Sequence, residues 1–271
     1  MLHKPSKREL MCMKPEDAMY ASTTSFPDYW KVTQEFNEYV HKLEQLGVEV
    51  IVTENDDNIC PNNIFMRDIA AVIGNTIVIG NPAYDIRKPE VVNFTNNLHR
   101  IPGNLDAITL SDKSTIEGAD IFVLPNKTII VSVGNRTNIV AYNQLSAFFS
   151  RKGWTVNMVA AQKEGVPQHI LGAKHIVNHD TLISRNHVNS SNIHSSFSRI
   201  IALTENDEVN AGYSMNVVTI GPDEIIMPSG NPCTKDLYEN AGIIVHETPT
   251  REISKMAGSL ACMTLPLERE V

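Results

Sequence analysis

The sequence lacks any apolar run that approaches the roughly 20 residues of a membrane span. Residues 1–10 also lack the apolar core of a signal peptide. These two absences argue against a membrane protein and against a secreted protein. We therefore expect a cytoplasmic protein with no membrane partner.

Neither paired cysteines nor an excess of basic residues is present. The cysteines show no Cys-x-x-Cys spacing, so neither a zinc site nor a redox pair is indicated. The formal net charge of −8 argues against a nucleic-acid-binding surface. We expect free thiols, a small-molecule partner, and no metal or cofactor. The cysteines are Cys12, Cys60, Cys233 and Cys262.

A strand–turn–strand pattern occurs four times along the chain. In each copy, apolar β-forming residues flank a short polar turn, which is typical of a β-hairpin. The turn centres recur about every 50 residues. They lie at Asn75, Asn126, His179 and Pro222. The predicted strands are residues 69–73 and 76–79, 120–124 and 128–131, 173–177 and 181–183, and 215–220 and 224–227.

A helix and a further strand are predicted after two of these hairpins. Residues 139–152 form an amphipathic pattern that ends at Gly153, before strand 154–159. Helix 235–241, Gly242 and strand 243–246 repeat that order. The predicted unit is therefore ββαβ.

A fifth unit is split between the two ends of the chain. Helix 27–46 and strand 48–52 supply its second half, and we expect residues 8–13 to pair with a terminal strand that carries Cys262. Five such units predict one α/β domain, residues 1–271, closed into a ring rather than a doubly wound sheet.

Reactive side chains occupy the same place in several units. Asp68, Glu117 and His169 stand just before or at the start of a first strand, and Cys262 begins the corresponding strand of the split unit. Equivalent positions in a ring should meet around its axis. We therefore expect a thiol, an imidazole and two carboxylates in one cavity.

This set of side chains fits a guanidinium substrate. A guanidinium is planar, charged and rich in N–H donors, so two carboxylates would hold it. The bound cation and a protonated His169 would lower the pKa of Cys262, whose thiolate would attack the central carbon. His169 would then protonate the leaving amine and later activate water.

Five motifs, in consistent order, resemble the guanidine-modifying (amidinotransferase and arginine deiminase) superfamily. They are Phe65-Met-Arg-Asp68, Glu117-Gly-Ala-Asp120, Gly134-Asn-Arg-Thr-Asn138, His169 and Cys262-Met-Thr-Leu-Pro-Leu267. In size and layout the chain is most similar to the dimethylarginine dimethylaminohydrolase branch. The resemblance implies a five-bladed, pseudo-fivefold α/β propeller, the pentein fold.

The resemblance also implies residue roles. Cys262 corresponds to the nucleophile, His169 to the general acid/base, and Glu117 and Asp68 to the groups that hold the guanidinium. Arg136 is similar to the arginine that binds a substrate carboxylate in this superfamily. Arg87 stands where a second such arginine is expected, and these roles are predictions from the motifs alone.

Three positions depart from the patterns of the superfamily. Arginine deiminases and creatine-pathway transferases carry an Asp after the catalytic histidine, whereas this chain has His169-Ile-Leu171. Asn62 stands where dimethylaminohydrolases carry an Asp, so it can bond an N–H group but adds no charge. Asp68 argues against the related arginine dihydrolases, because their version of the strand that follows Phe65 is expected to carry an Asn.

Several structural alternatives stay open. Asp120 would either bind substrate or brace the turn of Glu117. Residues 186–198 are predicted to form an exposed loop, either a lid or a plain insertion. The pair His175 and His179 spans a strand and a turn rather than one helical face, so it does not indicate a metal site. At Cys233, a predicted helix start, the helix dipole would favour a mildly acidic thiol, but nothing in the repeat directs this residue towards the axis.

Three functions follow as hypotheses. The first is a cysteine hydrolase that converts arginine or an N-substituted arginine, through a covalent thiouronium intermediate, into a ureido product plus an amine or ammonia. The second is an amidinotransferase that passes the amidino group to an amine acceptor. The third is a non-catalytic binding module, because a fold alone does not imply chemistry. Whether the protein forms a homodimer stays open.

Overall fold

The computed structural model describes residues 1–7, 26–54, 62–161, 169–185, 191–211 and 213–268. The helices are α1 (Tyr29–Gln45), α2 (Met66–Ile69), α3 (Lys88–Asn96), α4 (Ile139–Ser150), α5 (Ser191–His194), α6 (Asp207–Asn210), α7 (Pro232–Asn240) and α8 (Leu260–Met263). Within these ranges, no helix is long and apolar enough to cross a membrane.

The strands are short, as expected for small repeated sheets. They are β1 (Leu2–His3), β2 (Val52–Thr53), β3 (Ala70–Ile73), β4 (Thr76–Ile79), β5 (Asp106–Ile108), β6 (Ile121–Leu124), β7 (Thr128–Val133), β8 (Thr155–Ala160), β9 (Lys174–Ile176), β10 (Thr181–Arg185), β11 (Arg199–Leu203), β12 (Val218–Gly221), β13 (Glu224–Pro228) and β14 (Ile244–Thr248).

Four three-stranded sheets repeat one topology. Their strand orders are β3-β4-β5, β6-β7-β8, β9-β10-β11 and β12-β13-β14. In each sheet the first two strands form an antiparallel hairpin, and the third strand pairs parallel to the middle one. A parallel partner requires a crossover, which α3, α4 and α7 supply in three of the modules. The predicted ββαβ unit is confirmed.

The third crossover differs from its prediction. Residues 186–190 lie outside the described residues, but α5 and the residues after it are not an exposed loop. Ile193 and Phe197 are buried and pack with Leu182 of β10. This apolar contact accounts for the ordered helix in a stretch whose polar composition suggested a loop.

The fifth module is closed by the two ends of the chain. β1 pairs parallel with β2 through Leu2 and Val52. The Met1 amino group donates to the Leu265 carbonyl at 2.7 Å, and the Leu265 amide donates back to the Met1 carbonyl at 3.0 Å. Closure between the two ends of the chain is confirmed. Residues 1–3 pair here, whereas residues 8–13 lie outside the described residues.

Cys262 lies in α8 and does not begin a strand as predicted. Leu260 and Met263, which flank it, are both fully buried in one apolar cluster. Residues three apart share a face of a helix but point to opposite faces of a strand. The helical turn therefore buries both side chains, which overrides the β-forming character of the local sequence.

Helix α1 packs against this segment. It buries Val32, Phe36 and Tyr39 in the cluster that contains Leu260 and Met263. The Tyr39 hydroxyl also lies 2.6 Å from the Thr264 hydroxyl, which donates to the Leu260 carbonyl at 2.8 Å. The position of α8 is thus fixed by apolar packing and by hydrogen bonds.

The first two full modules approach each other closely at Gly118. A Cβ atom added there would overlap the carbonyl oxygen of Ala70 and lie 2.6 Å from that of Arg67. Backbone atoms in a packed interior cannot move aside as a flexible side chain can. The absence of a side chain at residue 118 therefore lets the turn of Glu117 reach the turn of Asp68.

We expect Gly118→Ala to lower the free energy of unfolding by about 1–3 kcal/mol, because the added methyl group must displace backbone atoms. Urea unfolding followed by circular dichroism measures the difference. Gly221→Ala is the matched control, because its Cβ would first meet the flexible end of Glu224 at 3.4 Å. Equal stability of the two variants would contradict this expectation.

Candidate active site

The turns that precede the first strands of three modules converge. Asp68 lies in α2 before β3, while Glu117 and His169 each precede a 3-10 turn, Gly118–Asp120 and Ile170–Gly172. One side-chain nitrogen or oxygen from each of the three residues lies within 4.8 Å of the other two. The ring thus brings together three residues that the repeat placed at equivalent positions.

Glu117 stands at the centre of a buried ion-pair network. Its side chain is 0% exposed. Its Oε2 lies 2.6 Å from His169 Nε2, and its Oε1 accepts from Arg136 Nη1 at 3.1 Å. Arg87 Nη1 lies 3.6 Å from Oε2. Burial alone would raise the pKa of Glu117, but these three cations lower it below its usual range.

His169 is held in its protonated form by the same network. Burial alone would lower its pKa, but the carboxylates of Asp68, Glu117 and Asp120 together raise the pKa to about 9. His169 Nδ1 lies 3.9 Å from Asp68 Oδ1. An imidazolium at neutral pH can donate a proton at once, whereas it must lose one before it can act as a base.

Arg87 is buried, and three carboxylates engage its guanidinium. Its Nε and Nη2 donate to Glu90, the latter at 2.9 Å, and its Nη1 donates to Asp68 Oδ2 at 2.8 Å. Its side chain is 1% exposed. This geometry does not support the predicted role of Arg87 in binding a substrate carboxylate, because its donors already serve Glu90, Asp68 and Glu117.

Arg136 lies nearer the surface of the cluster. Its guanidinium carbon stands 4.4 Å from the ring centroid of Tyr84, in a cation–π contact, while Nη1 donates to Glu117. Tyr84 is substantially exposed. Of the two predicted carboxylate-binding arginines, the structure leaves Arg136 better placed for that role.

Asp120 braces the turn of Glu117, which was one of its two predicted roles. Thr137 Oγ1 accepts from the Glu117 amide at 3.1 Å and donates to Asp120 Oδ2 at 2.7 Å. Burial raises the pKa of Asp120 to about 6. Its Oδ1 is buried with no hydrogen-bond partner among the described residues, so a part in substrate binding stays a prediction.

Cys262 is half-buried in α8 and its sulfur receives hydrogen bonds. Asn216 Nδ2 donates to Sγ at 3.2 Å. Burial and the charge of Asp68 raise the pKa of Cys262, while Asn216, the Ser259 amide and Arg87 oppose that rise. The predicted lowering of this pKa included a bound cation, and the protein groups alone do not produce it.

Asn216 was not among the predicted site residues. It stands two residues before β12, the first strand of the fourth full module. It therefore extends to the fourth module the pattern of Asp68, Glu117 and His169. Its position could have been found from the repeat, but its amide is not an acid, a base or a nucleophile and so did not indicate a catalytic group.

Other residues that the sequence suggested as candidates take no part in the contacts described above. His175 Nε2 lies 2.8 Å from Thr219 Oγ1, and His179 is exposed beside Asp180. Cys233 is a free, exposed cysteine at the start of α7. Glu208 raises the pKa of its thiol, which is opposite to the lowering that the helix dipole alone would produce. Cys12, Cys60 and His187 lie outside the described residues.

The family of this chain follows from its match to a family model. A family model described as "N,N dimethylarginine dimethylhydrolase, eukaryotic" matches residues 28–269. The chain belongs to this family. Membership makes it a hydrolase that acts on guanidino C–N bonds.

Individual relatives agree with the family model. The N(G),N(G)-dimethylarginine dimethylaminohydrolase of Pseudomonas aeruginosa is 24% identical over 250 residues, which cover 92% of this chain and 93% of that protein. The arginine deiminase of Listeria monocytogenes is 27% identical over 262 residues, which cover 78% of this chain and 62% of that protein.

Solved structures show the fold. Dimethylarginine dimethylaminohydrolase from Pseudomonas aeruginosa, complexed with citrulline, superposes with a TM-score of 0.80 at 21% identity, covering 97% of this chain and 96% of that chain. The product-bound N-terminal domain of an arginine dihydrolase from cyanobacteria gives a TM-score of 0.83 at 15% identity, covering 97% and 95%. The five-bladed pentein propeller is confirmed.

Asn62, which was predicted to bind a substrate N–H group, precedes α2. It is buried, and its backbone carbonyl accepts from the Phe65 amide at 2.8 Å, just before α2. The residue thus helps to shape the turn that carries Asp68. Its predicted contact with a substrate N–H group stays a prediction.

We expect the imidazole of His169 to titrate near pH 9 rather than near its ordinary pKa of 6.5. Because the folded-state pKa is raised, protonated His169 should stabilise the fold below about pH 6.5, and this contribution should be lost as the pH rises through about 9. NMR titration of isotope-labelled histidine measures the midpoint, with His169→Gln for assignment. A midpoint at or below 6.5 would refute the expectation.

Proposed function

We propose that this chain is a cysteine hydrolase whose substrate is arginine or an N-substituted arginine and whose products are a ureido compound, such as citrulline, and an amine or ammonia. The observation that carries the proposal is the convergence of Asp68, Glu117 and His169, together with a half-buried thiol at Cys262 that lies close enough to Asp68 for the charge of Asp68 to raise the pKa of the thiol. The catalytic cysteine and the thiouronium intermediate are part of this proposal.

The cluster has an excess of acidic side chains that favours a cationic ligand, although burial raises the pKa of Glu90 to about 7, so that its carboxyl is only partly ionised at neutral pH. In the described part of the chain the cluster contains one more acidic side chain than basic side chains: Asp68, Glu90, Glu117 and Asp120 against Arg87, Arg136 and His169. Asp68 Oδ1 is buried without a hydrogen-bond partner among the described residues. A buried carboxylate oxygen without a donor is costly, and a guanidinium N–H would supply the donor.

The residues present support a two-step reaction. The Cys262 thiolate would attack the guanidinium carbon, while protonated His169 would give its proton to the departing nitrogen, leaving a thiouronium on the sulfur. Neutral His169 would then take a proton from water, whose oxygen attacks the same carbon. The C–S bond would break as the second proton of the attacking water passes to solvent, which returns the thiolate, leaves His169 as the imidazolium and releases the ureido product. The released amine or ammonia takes up a proton from solvent.

Glu117 would act through His169 in both steps. Its carboxylate is fully buried and 2.6 Å from Nε2. That contact orients the ring and stabilises the imidazolium that precedes the first proton transfer and follows the second. The role resembles that of the carboxylate that orients a catalytic histidine in other acid–base pairs.

The test of the function is mass spectrometry of the protein incubated with arginine, methylarginines, agmatine and simpler guanidines, each with and without an amine acceptor. We expect a ureido product and no dependence on the acceptor. A new guanidine that forms only with the acceptor would instead support an amidinotransferase. Absence of turnover across the panel would favour a non-catalytic binding module.

Cysteine variants provide the control for that experiment. We expect Cys262→Ser to reduce turnover at least about 100-fold with the fold retained, because a hydroxyl is a far weaker nucleophile than a thiolate at neutral pH. Cys233→Ser, at the exposed thiol, should leave turnover unchanged. Activity of Cys262→Ser above a hundredth of that of the wild type would count heavily against the assignment.

We expect Arg136→Ala to lower kcat/KM for arginine by about 10- to 100-fold and to lower it much less for agmatine, which has no carboxylate. The expected cause is the loss of a charge-assisted hydrogen bond to the substrate carboxylate, so most of the effect should fall on KM. Steady-state kinetics on both substrates measure the two ratios. Equal losses would mean that Arg136 serves Glu117 and not the substrate carboxylate.

A further inference from the structure

The carboxamide of Asn216 connects the candidate nucleophile to its own helix. Its Oδ1 accepts from the Ala261 amide at 2.7 Å, and its Nδ2 donates to Cys262 Sγ at 3.2 Å. One side chain therefore bonds to the backbone before the cysteine and to the sulfur itself. Both groups of the amide are used, and they are used on adjacent residues.

The turn that carries Asn216 is held firmly. The Asn216 amide donates to the Tyr213 carbonyl at 2.7 Å, which closes a turn over residues 213–216. Thr234 Oγ1 donates to Ser214 Oγ at 3.2 Å, and the Tyr238 hydroxyl donates to the Ser214 carbonyl at 3.3 Å. The turn is thus tied to α7, so Asn216 reaches α8 from a fixed support.

Tyr213 adopts a left-handed backbone conformation, with a φ of 54°. A bulky residue other than glycine is disfavoured there, at a cost of about 1–3 kcal/mol, and the surrounding structure must compensate. The strained residue begins the turn that presents Asn216. The strained residue therefore belongs to the turn that positions Asn216 against the sulfur.

The charged and titratable groups around Cys262 do not by themselves favour a thiolate. Asp68 disfavours a negative sulfur, Arg87 favours one, and Tyr213 lies close enough for the charge of Cys262 to raise the pKa of its hydroxyl. Burial further disfavours the charged form. Neutral donors aimed at the sulfur are therefore needed to offset burial and the charge of Asp68.

We propose that Asn216 is a thiol-binding residue that fixes the rotamer of Cys262 and stabilises its thiolate by donating from Nδ2, as the contribution of the fourth module to the site. The Ser259 backbone amide supplies a second donor to the same sulfur. The proposed importance of the thiolate rests on the proposed function, whereas the effect of Asn216 on the thiol can be measured without any turnover.

The test is the pH dependence of alkylation by iodoacetamide, resolved for each cysteine by peptide mass spectrometry. In Asn216→Leu, which keeps the approximate shape but loses the donor, we expect the alkylation midpoint of Cys262 to rise by about one pH unit. In Asn216→Asp, which can still accept from Ala261, the added negative charge should raise the midpoint as well. The midpoint of Cys233 is the internal control and should not move.

Circular dichroism and thermal melting establish whether each variant folds. Should Asn216→Leu fail to fold, Asn216→Ala decides the question, because it removes the Nδ2 donor without adding the negative charge that by itself raises the midpoint in Asn216→Asp. An unchanged Cys262 midpoint in every folded variant would overturn the proposal and reduce Asn216 to a support for α8. A rise confined to Cys262 supports the proposal.

Turnover separates this inference from the function on which it rests. If the wild type acts on a member of the substrate panel, Asn216→Asp should lower kcat more than about tenfold near neutral pH and leave KM nearly unchanged. An unchanged kcat would overturn the role of the residue in the reaction. If the wild type shows no turnover, the proposed function fails, and the alkylation midpoints alone decide the role of Asn216.

Discussion

The site depends on one buried carboxylate shared by three cations. Glu117 is inaccessible to solvent and lies within 3.6 Å of nitrogens from His169, Arg136 and Arg87. A buried charge of this kind is stable only when its partners are fixed in place, because removing one partner leaves the others uncompensated. Its partners come from three consecutive modules, so the network depends on the packing of these modules against one another. The same requirement explains why Gly118 must lack a side chain, since the turn of Glu117 has to pack directly against the turn of Asp68.

The repeat made much of this arrangement predictable from the sequence. Hairpin turns at regular intervals identified four modules, and equivalence between modules then brought Asp68, Glu117 and His169 together without any contact information. The prediction worked because residues at equivalent positions in the repeated units of a ring all face the same central axis. It also explains Asn216, whose place before β12 matches the other three. Its amide is neither ionisable nor nucleophilic, so its side chain does not point to chemistry, although its position is evident from the repeat.

Other features depend on packing that local sequence does not encode. The sequence gives no sign that Glu90 is buried one turn after Arg87, and that pairing directs the Arg87 guanidinium inward. Cys262 was assigned to a strand because its neighbours favour β-structure, yet burying Leu260 and Met263 together requires a helix. The part that residues 1–3 play in the split module was not predicted, because two residues, Leu2 and His3, are too short a strand to be recognised by pattern. In each case long-range contacts decided between local alternatives of similar propensity.

The electrostatics of the thiol and of the guanidinium site are connected through Asp68. Its charge helps to raise the pKa of His169 and also helps to raise the pKa of Cys262. In the absence of substrate, the general acid His169 is therefore already protonated, whereas ionisation of the Cys262 thiol is disfavoured.

A guanidinium bound to Asp68 would offset the charge that disfavours the thiolate and would place its own positive charge near the sulfur. Under the proposed function, substrate binding would itself favour the reactive thiolate, with the Asn216 and Ser259 donors already in place. Such a thiol would be protected from alkylation and oxidation until a cation of the right shape arrives, because only the thiolate reacts rapidly.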